Sequence, residues 1–403
     1  MEFITLRNGV RMPILGYGVY QIPQDICERC VLDALQVGYR SLDTAQSYFN
    51  EEQVGSAIEK SGIPRKEIFL TTKVWIEHYG YEQAKASVLE SMEKLRTDYL
   101  DLVLLHQPFA DYYGAYRALE DLYEAGKLRA IGISNFYPDR MVDIASFARI
   151  RPLVNQIEVH PLHQQAEAKQ WLDKYGIQME AWAPFGEGRG GLFTNPALTQ
   201  IGAKYGKTAA QVMLRWHIQL GIAVIPKSTH IERMRENLEV FDFALTREDM
   251  AAVAALDQRQ SAFFSHQDPA MVEWFVKMVE ERKSSMTAQR SKKAGNAKKE
   301  RLTPFLFAYS QALFSRPMSS SLPVPFSAEK GTRMSSSVSS SVSRMRARAG
   351  STWLRFSLSI LLATMISGQP DSRNQLCMTR SFSVGLWRVS TISTPAVMAS
   401  APS

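Results

Sequence analysis

The stretch GYRSLDTAQSYFNEEQVG, Gly38 to Gly55, holds the turn on which the fold reading rests. Its opening, YRSLD, reads as a short strand with apolar Leu42 inside it and an acid, Asp43, at its exit. Its close, continued as NEEQVGSAIEKSG, reads as a helix with Asn50 as N-cap. Tyr48 lies on the short loop between them. An acid and a phenol brought together at the C-terminal end of a strand call for a chemical reason.

Outward from this stretch the same strand-then-helix unit recurs. PILGYGV precedes it as the first strand, followed by the helix PQDICERCVLDALQVG. After it come EIFLTTKV with YEQAKASVLESMEKL, and YLDLVLLHQ with AYRALEDLYEAG. KLRAIGISN with PDRMVDIASFAR and PLVNQIEVH with QAEAKQWLDKYG continue the series. IQMEAWAP with TAAQVMLRWHIQLG and IAVIPKS with IERMRENLEVF complete it. The strands are short apolar runs and the helices repeat their apolar positions every 3.6 residues. Alternation of this kind predicts a parallel sheet, and eight units in about 250 residues match a (β/α)8 TIM barrel. A doubly wound sheet is the competing architecture, but the one dense glycine cluster, GEGRGG, lies late in the chain. A last helix, AMVEWFVKMVEERK, is expected to pack on the barrel.

Composition separates two regions. Of 403 residues 45% are hydrophobic, and the formal charge is +7. From Ser284 onward there are 16 Lys and Arg against 3 Asp and Glu, so the first 283 residues are net acidic and only the tail is basic. The expected organisation is a barrel over 1–283 and a Ser/Arg-rich, disordered tail over 284–403, where serine runs and scattered arginines lack the apolar surface needed to fold. Those arginines are interleaved with serine and apolar residues, which argues against a nucleic-acid arm. The N-terminus lacks the apolar run of a signal peptide, and no run is long enough for a membrane helix. The compartment expected is the cytoplasm. Cys27 and Cys30 form C-x-x-C inside an amphipathic helix rather than at its start, so two reduced structural thiols are expected.

In a barrel, the ends of the strands carry the catalytic groups. Read in order, they present Asp43 with Tyr48, Lys73, His106, Ser134 with Asn135, Gln156, Trp182, and Lys227 with Ser228. A metal-dependent hydrolase using His160 and His163 is the weaker reading, because no H-x-H occurs and His163 lies past a proline outside the strand. No metal is expected.

Across roughly residues 3 to 283 the chain resembles the aldo-keto reductase family, of the bacterial, 2,5-diketo-gluconate reductase-like type. Three signatures carry the resemblance in order: GYRSLDTAQSYFNEEQVG, LYEAGKLRAIGISNF and IPKSTHIERMREN. It implies catalytic roles for Asp43, Tyr48, Lys73 and His106. Tyr48 would protonate the alkoxide formed when a nicotinamide delivers hydride to a carbonyl. Lys73 would lower the phenol's pKa, Asp43 would hold Lys73, and His106 would orient the carbonyl. Ser134, Asn135 and Gln156 would bind the carboxamide, with Trp182 on the ring. Lys227, Ser228, Thr229 and Arg233 would take the phosphates, favouring NADP(H), and Glu236 and Asn237 would face the adenine. Tyr20, Trp75, His106 and Phe109 would line a pocket for an aldehyde, ketone or keto-sugar, left open by a short C-terminal loop. The resemblance further implies a monomer acting on a small carbonyl substrate, without nucleic acid or membrane. A cofactor-sensing regulatory protein of the same fold is the alternative.

Overall fold

In the computed structural model, residues 2–284 are described, together with the backbone of two strands near the C-terminus. The chain divides into two units, Met1–Ser284 and Ser285–Ser403. Two short antiparallel strands, β1 (Phe3–Thr5) and β2 (Arg11–Pro13), open the first unit. An eight-stranded parallel sheet follows: β3 (Tyr17–Gly18), β4 (Ser41–Asp43), β5 (Phe69–Val74), β6 (Leu102–Leu105), β7 (Ile131–Ser134), β8 (Val154–Glu158), β9 (Gln178–Trp182) and β10 (Ala223–Val224). Each of the eight lies within a segment read as a strand from its apolar run. The sheet runs in sequence order and closes on itself. Leu15 bridges Val224 in parallel, and the Gly16 and Gly18 amides donate to the carbonyls of Val224 at 2.8 Å and Pro226 at 3.1 Å. This is the (β/α)8 barrel expected from the alternation.

Helices cover the outside because their apolar stripes need the outer faces of the strands. Local chemistry ends them where it should: Asn195 accepts from the amides of Ala197 and Leu198, and Thr208 with Gln211 forms a capping box. Cys27 and Cys30 lie buried on helix Gln24–Val37 as free thiols, and burial pushes the Cys27 thiol up to about 12. Neither is in a disulfide, in keeping with two reduced thiols on a structural helix. The GEGRGG cluster forms an irregular turn after β9, within Gly186–Thr194, in which Gly188, Gly190 and Gly191 all take positive φ.

The barrel interior is apolar at its N-terminal end and polar at the other. Phe69, Leu102, Leu104, Ala130, Val154 and Ala223 form a small core that also holds Leu6 and Met12 of the opening hairpin. The hairpin therefore plugs that end of the barrel. The series of eight strand–helix units omits this hairpin, although its Asn8-Gly9 turn between two short apolar segments is a recognised hairpin signal. Gly132 is required inside the barrel, since a Cβ there would lie 2.4 Å from the Val154 carbonyl oxygen. Register sets the polar end: Gly18 pairs with Asp43 and Asp43 with Thr71, while Ser134 pairs with Gln156 and Gln156 with Glu180. Paired residues on neighbouring strands point the same way, so the polar groups converge.

A helix over 269–284 closes the unit, as expected. Beyond Ser284 the structure describes the antiparallel pair β11 (Gln375–Arg380) and β12 (Trp387–Ile392), where the sequence reading placed no element. The expectation of a disordered tail otherwise lies outside the described residues. Among the described residues, no helix is long and apolar enough to cross a membrane.

Candidate functional site

Asp43 ends β4, Lys73 lies near the end of β5, His106 follows β6, and Tyr48 closes the 3-10 turn Gln46–Tyr48. The barrel brings all four together. Lys73 is fully buried, and its ammonium donates to Asp43 Oδ1 at 2.5 Å, to the Thr44 carbonyl at 3.0 Å and to the Tyr48 hydroxyl at 3.3 Å. Three donors meet three acceptors, which satisfies an ammonium and would leave an amine short of a proton. Burial alone would favour the neutral amine, but Asp43 and Tyr48 outweigh it, so Lys73 is held above its ordinary pKa.

The loop carrying Tyr48 is tied down by Asn50. Asn50 occupies the N-cap position of helix Glu51–Ser61, but its side chain does not cap. Instead Oδ1 accepts from the Thr44 hydroxyl at 2.8 Å and Nδ2 donates to the Val19 carbonyl at 3.0 Å. The capping role read from the sequence is thus given up for contacts that hold the loop to the strand ends.

Lys73 does not by itself bring Tyr48 into the neutral range. Burial is the larger influence and pushes the phenol up to about 12, against the lowering effect of the ammonium. Tyr48 therefore keeps its proton at neutral pH. His106 is held well below its ordinary pKa by burial, then by the Lys73 charge and by His266, and so is neutral. Its ring meets Tyr48 edge-on with centroids 5.7 Å apart, and Trp75 at 5.0 Å. The four pocket residues are assembled here, with Tyr20 on Tyr48 at 5.0 Å and Phe109 buried close by. Phe275 of the closing helix joins them, packing on Trp75 at 6.0 Å and on Phe109 at 5.4 Å.

Gln156 links the cluster to a group that sequence reasoning missed. Its Nε2 donates to Asp43 Oδ2 and to Glu180 Oε2, both at 2.8 Å. Glu180 is a carboxylic acid inside a strand, IQMEAW, and that interruption of an apolar run was the available signal. Burial, with the Asp43 charge next, pushes it up to about 7. Because this pKa is raised above that of the unfolded chain, the stability linked to Glu180 is full below the unfolded value and is lost as pH rises through about 7. Glu180→Gln should consequently raise the thermal midpoint at pH 8 by about 2 °C or more, with a smaller gain at pH 5. An equal shift at both pH values in scanning calorimetry would refute this.

The residues expected to hold the carboxamide form a connected set. Ser134 Oγ donates to the Gln156 carbonyl at 2.8 Å, Asn135 Nδ2 to the His106 carbonyl at 3.0 Å, and Trp182 Nε1 to Asn135 Oδ1 at 2.9 Å. Their donors are largely committed within the chain. What remains are acceptor lone pairs, which fit the NH2 of a carboxamide. Beyond β10, Lys227 and Arg233 are exposed and make no ion pair among the described residues, which fits cations kept for phosphate. Ser228 is fixed there by Tyr17, whose hydroxyl donates to its carbonyl at 2.5 Å, while the Thr229 carbonyl faces Arg29 at 3.5 Å. Glu236 accepts from the Thr208 hydroxyl at 2.6 Å, and Asn237 is buried on the same helix. His160 pairs with Glu158 at 2.9 Å rather than with a ligand set. Among the described residues, no three His, Cys, Asp or Glu are grouped to hold a metal ion.

Comparison with known proteins agrees with this geometry. The family model for the aldo/keto reductase family matches residues 15–258. A glyoxal reductase of Bacillus subtilis is 46% identical over 259 residues, covering 64% of this chain and 93% of that protein. The crystal structure of an aldo/keto reductase from Brucella melitensis is 42% identical, with a TM-score of 0.62 over 64% of this chain and 99% of that one. An aldo-keto reductase of Bombyx mori, solved in complex with NADP, is 34% identical with a TM-score of 0.63, covering 65% and 95%. The chain therefore belongs to the aldo-keto reductase family and is an NADP(H)-using oxidoreductase of carbonyl groups.

Proposed function

We propose that the protein reduces aldehydes, ketones or keto-sugars to alcohols, with Tyr48 as the proton donor. The observation that carries this is the three-way hydrogen bonding of Lys73, which places a full ammonium beside the phenol and a carboxylate behind it. When bound, NADPH supplies the hydride. Neutral His106 donates a ring N–H to the carbonyl oxygen, and Tyr48 gives its proton to that oxygen as negative charge develops there. Lys73 stabilises the phenolate left behind, and Asp43 keeps Lys73 charged through the cycle. Tyr20, Trp75, His106 and Phe109 shape the pocket. Likeness to a glyoxal reductase supports small dicarbonyl compounds as substrates.

Ser134, Asn135 and Gln156 hold the carboxamide, and Trp182 lies against the nicotinamide ring. Lys227, Ser228, Thr229 and Arg233 hold the phosphates, and Glu236 and Asn237 contact the adenine. Since the tetrad is complete within one chain, a monomer suffices. Two buried reduced thiols, Cys27 and Cys30, suit the cytoplasm. The test is a spectrophotometric panel of aldehydes, ketones and keto-sugars with NADPH and NADH. Oxidation of NADPH by small carbonyl compounds is expected. Tight NADPH binding with no turnover of any of them would instead identify a cofactor-sensing binding protein of the same fold.

The catalytic unit is the barrel with its closing helix. The tetrad, the phosphate loop and the helix over 269–284 all precede Ser285. A chain ending at Ser284 is expected to keep kcat and KM within about twofold, because no group used in the reaction is removed. A loss of activity beyond tenfold on truncation would show that residues 285–403 contribute to catalysis.

A further inference from the structure

Two buried carboxyl groups share one cation at the polar end of the barrel. Lys73 commits its three hydrogen bonds to Asp43, the Thr44 carbonyl and Tyr48, and none reaches Glu180. Glu180 is 1% exposed on β9, and its partner is an uncharged amide, Gln156 Nε2 at 2.8 Å. Register sets Gln156 of β8 on one side of it and apolar Ala223 of β10 on the other. The charged groups that act on it are Asp43 on β4, which opposes its ionisation, and Lys73 on β5, which favours it but is already paired. Ionised Glu180 therefore leaves the cluster with one negative charge in excess, and a buried charge of that kind calls for a proton or a second cation.

The same side chain adjoins the residues assigned to the nicotinamide. Trp182 follows it by two residues on the same strand and so faces the same way. Gln156 gives its N–H groups to Glu180 and Asp43, so its amide oxygen is what it can offer a carboxamide NH2. When bound, the reduced cofactor brings an uncharged ring and the oxidised cofactor a ring with one positive charge. Loss of a hydride, two electrons with one proton, to the substrate carbon is what creates that charge.

We infer that Glu180 is the counter-charge of the oxidised nicotinamide, so that the cleft holds NADP+ more tightly when this carboxylate is ionised and stabilises the ring as hydride leaves it. The inference rests on the carbonyl-reductase reading above, with Ser134, Asn135, Gln156 and Trp182 at the nicotinamide, and adds to it the group that senses the ring's oxidation state. Glu180 touches neither the substrate nor the reacting atoms, and acts through the field it sets behind Gln156. In the free protein its pKa lies at about 7. A cation bound nearby favours the carboxylate, so NADP+ should displace the proton and bind more tightly as pH rises through that value.

The experiment titrates NADP+ and NADPH into the full chain by calorimetry, for the wild type and Glu180→Gln, in buffers of different ionisation enthalpy. The 2′-phosphate is common to both cofactors, so its own titration cancels in their comparison. For a coupling of about tenfold between the two charges, the wild type's affinity for NADP+ relative to NADPH should rise about fivefold between pH 6 and pH 8.5. At pH 7, NADP+ should release about 0.4 proton more than NADPH does. Glu180→Gln keeps an acceptor for Gln156 and removes only the charge. At pH 8 it is expected to weaken NADP+ about tenfold and NADPH less than about twofold, and to abolish the pH dependence of their ratio. Equal weakening of the two, a ratio that still moves with pH in the variant, or equal proton release in the wild type overturns the inference and leaves the reductase reading intact. Failure of the wild type to bind either cofactor overturns that reading and the inference with it.

Discussion

Replacing Tyr48 with Phe is expected to lower kcat for carbonyl reduction about 100-fold or more while NADPH still binds. A positioned general acid contributes on that scale, and the phenylalanine ring keeps the shape of the pocket. Lys73 loses only the longest of its three hydrogen bonds, the one at 3.3 Å, so its pairing with Asp43 survives. The variant should accordingly fold normally, with the loss confined to kcat. The high pKa of the phenol adds a second expectation. Since Tyr48 ionises only near pH 12, reduction by the wild type should not decline through loss of this proton at neutral or mildly alkaline pH. Alcohol oxidation, which needs the phenolate, should rise with pH over the same range. Stopped-flow measurement of the hydride-transfer step across pH tests both statements. Wild-type turnover by Tyr48→Phe, with substrate and cofactor saturating, would remove Tyr48 from the role of proton donor.

Arg233→Ala is expected to weaken NADPH by about 10- to 150-fold and NADH far less. A charge-assisted guanidinium–phosphate contact accounts for a factor of that size, and only NADPH carries the 2′-phosphate. Arg233 is exposed near the start of helix Ile231–Leu238 and makes no ion pair among the described residues, so little in the fold should change with its removal. Fluorescence titration of both cofactors checks the result. Equal weakening of the two would place Arg233 away from the 2′-phosphate. The effect should also shrink as ionic strength rises, because an exposed cation is screened by salt.

Much of this molecule was legible in its sequence. Apolar runs of strand length between amphipathic helices specify local structure through side-chain periodicity, and that is read directly from the chain. Asp43, Lys73 and His106 were legible as polar groups closing apolar strands, which a barrel brings to one end, and the resemblance implied their joint role with Tyr48. What the sequence could not reveal depends on residues far apart along the chain. Gln156 reaches Asp43 across 113 positions, because β-register carries both side chains into the interior, and it ties both to Glu180. Asn50 reads as a helix cap by type, yet the fold places the Thr44 hydroxyl and the Val19 carbonyl within its reach, and these win. The phenol of Tyr48 has a cationic neighbour that the sequence resemblance implied, but its net pKa is decided by burial, a property of the assembled molecule. The closing helix was legible as a helix, but that it lays Phe275 against Trp75 and Phe109 is a contact that only the fold supplies. The sequence by itself determined the order of the eight barrel strands and the chemical groups at their ends, because both follow from local pattern. Only the tertiary structure decided which hydrogen bonds those groups make and how strongly they hold their protons, because both depend on register and on exclusion from water.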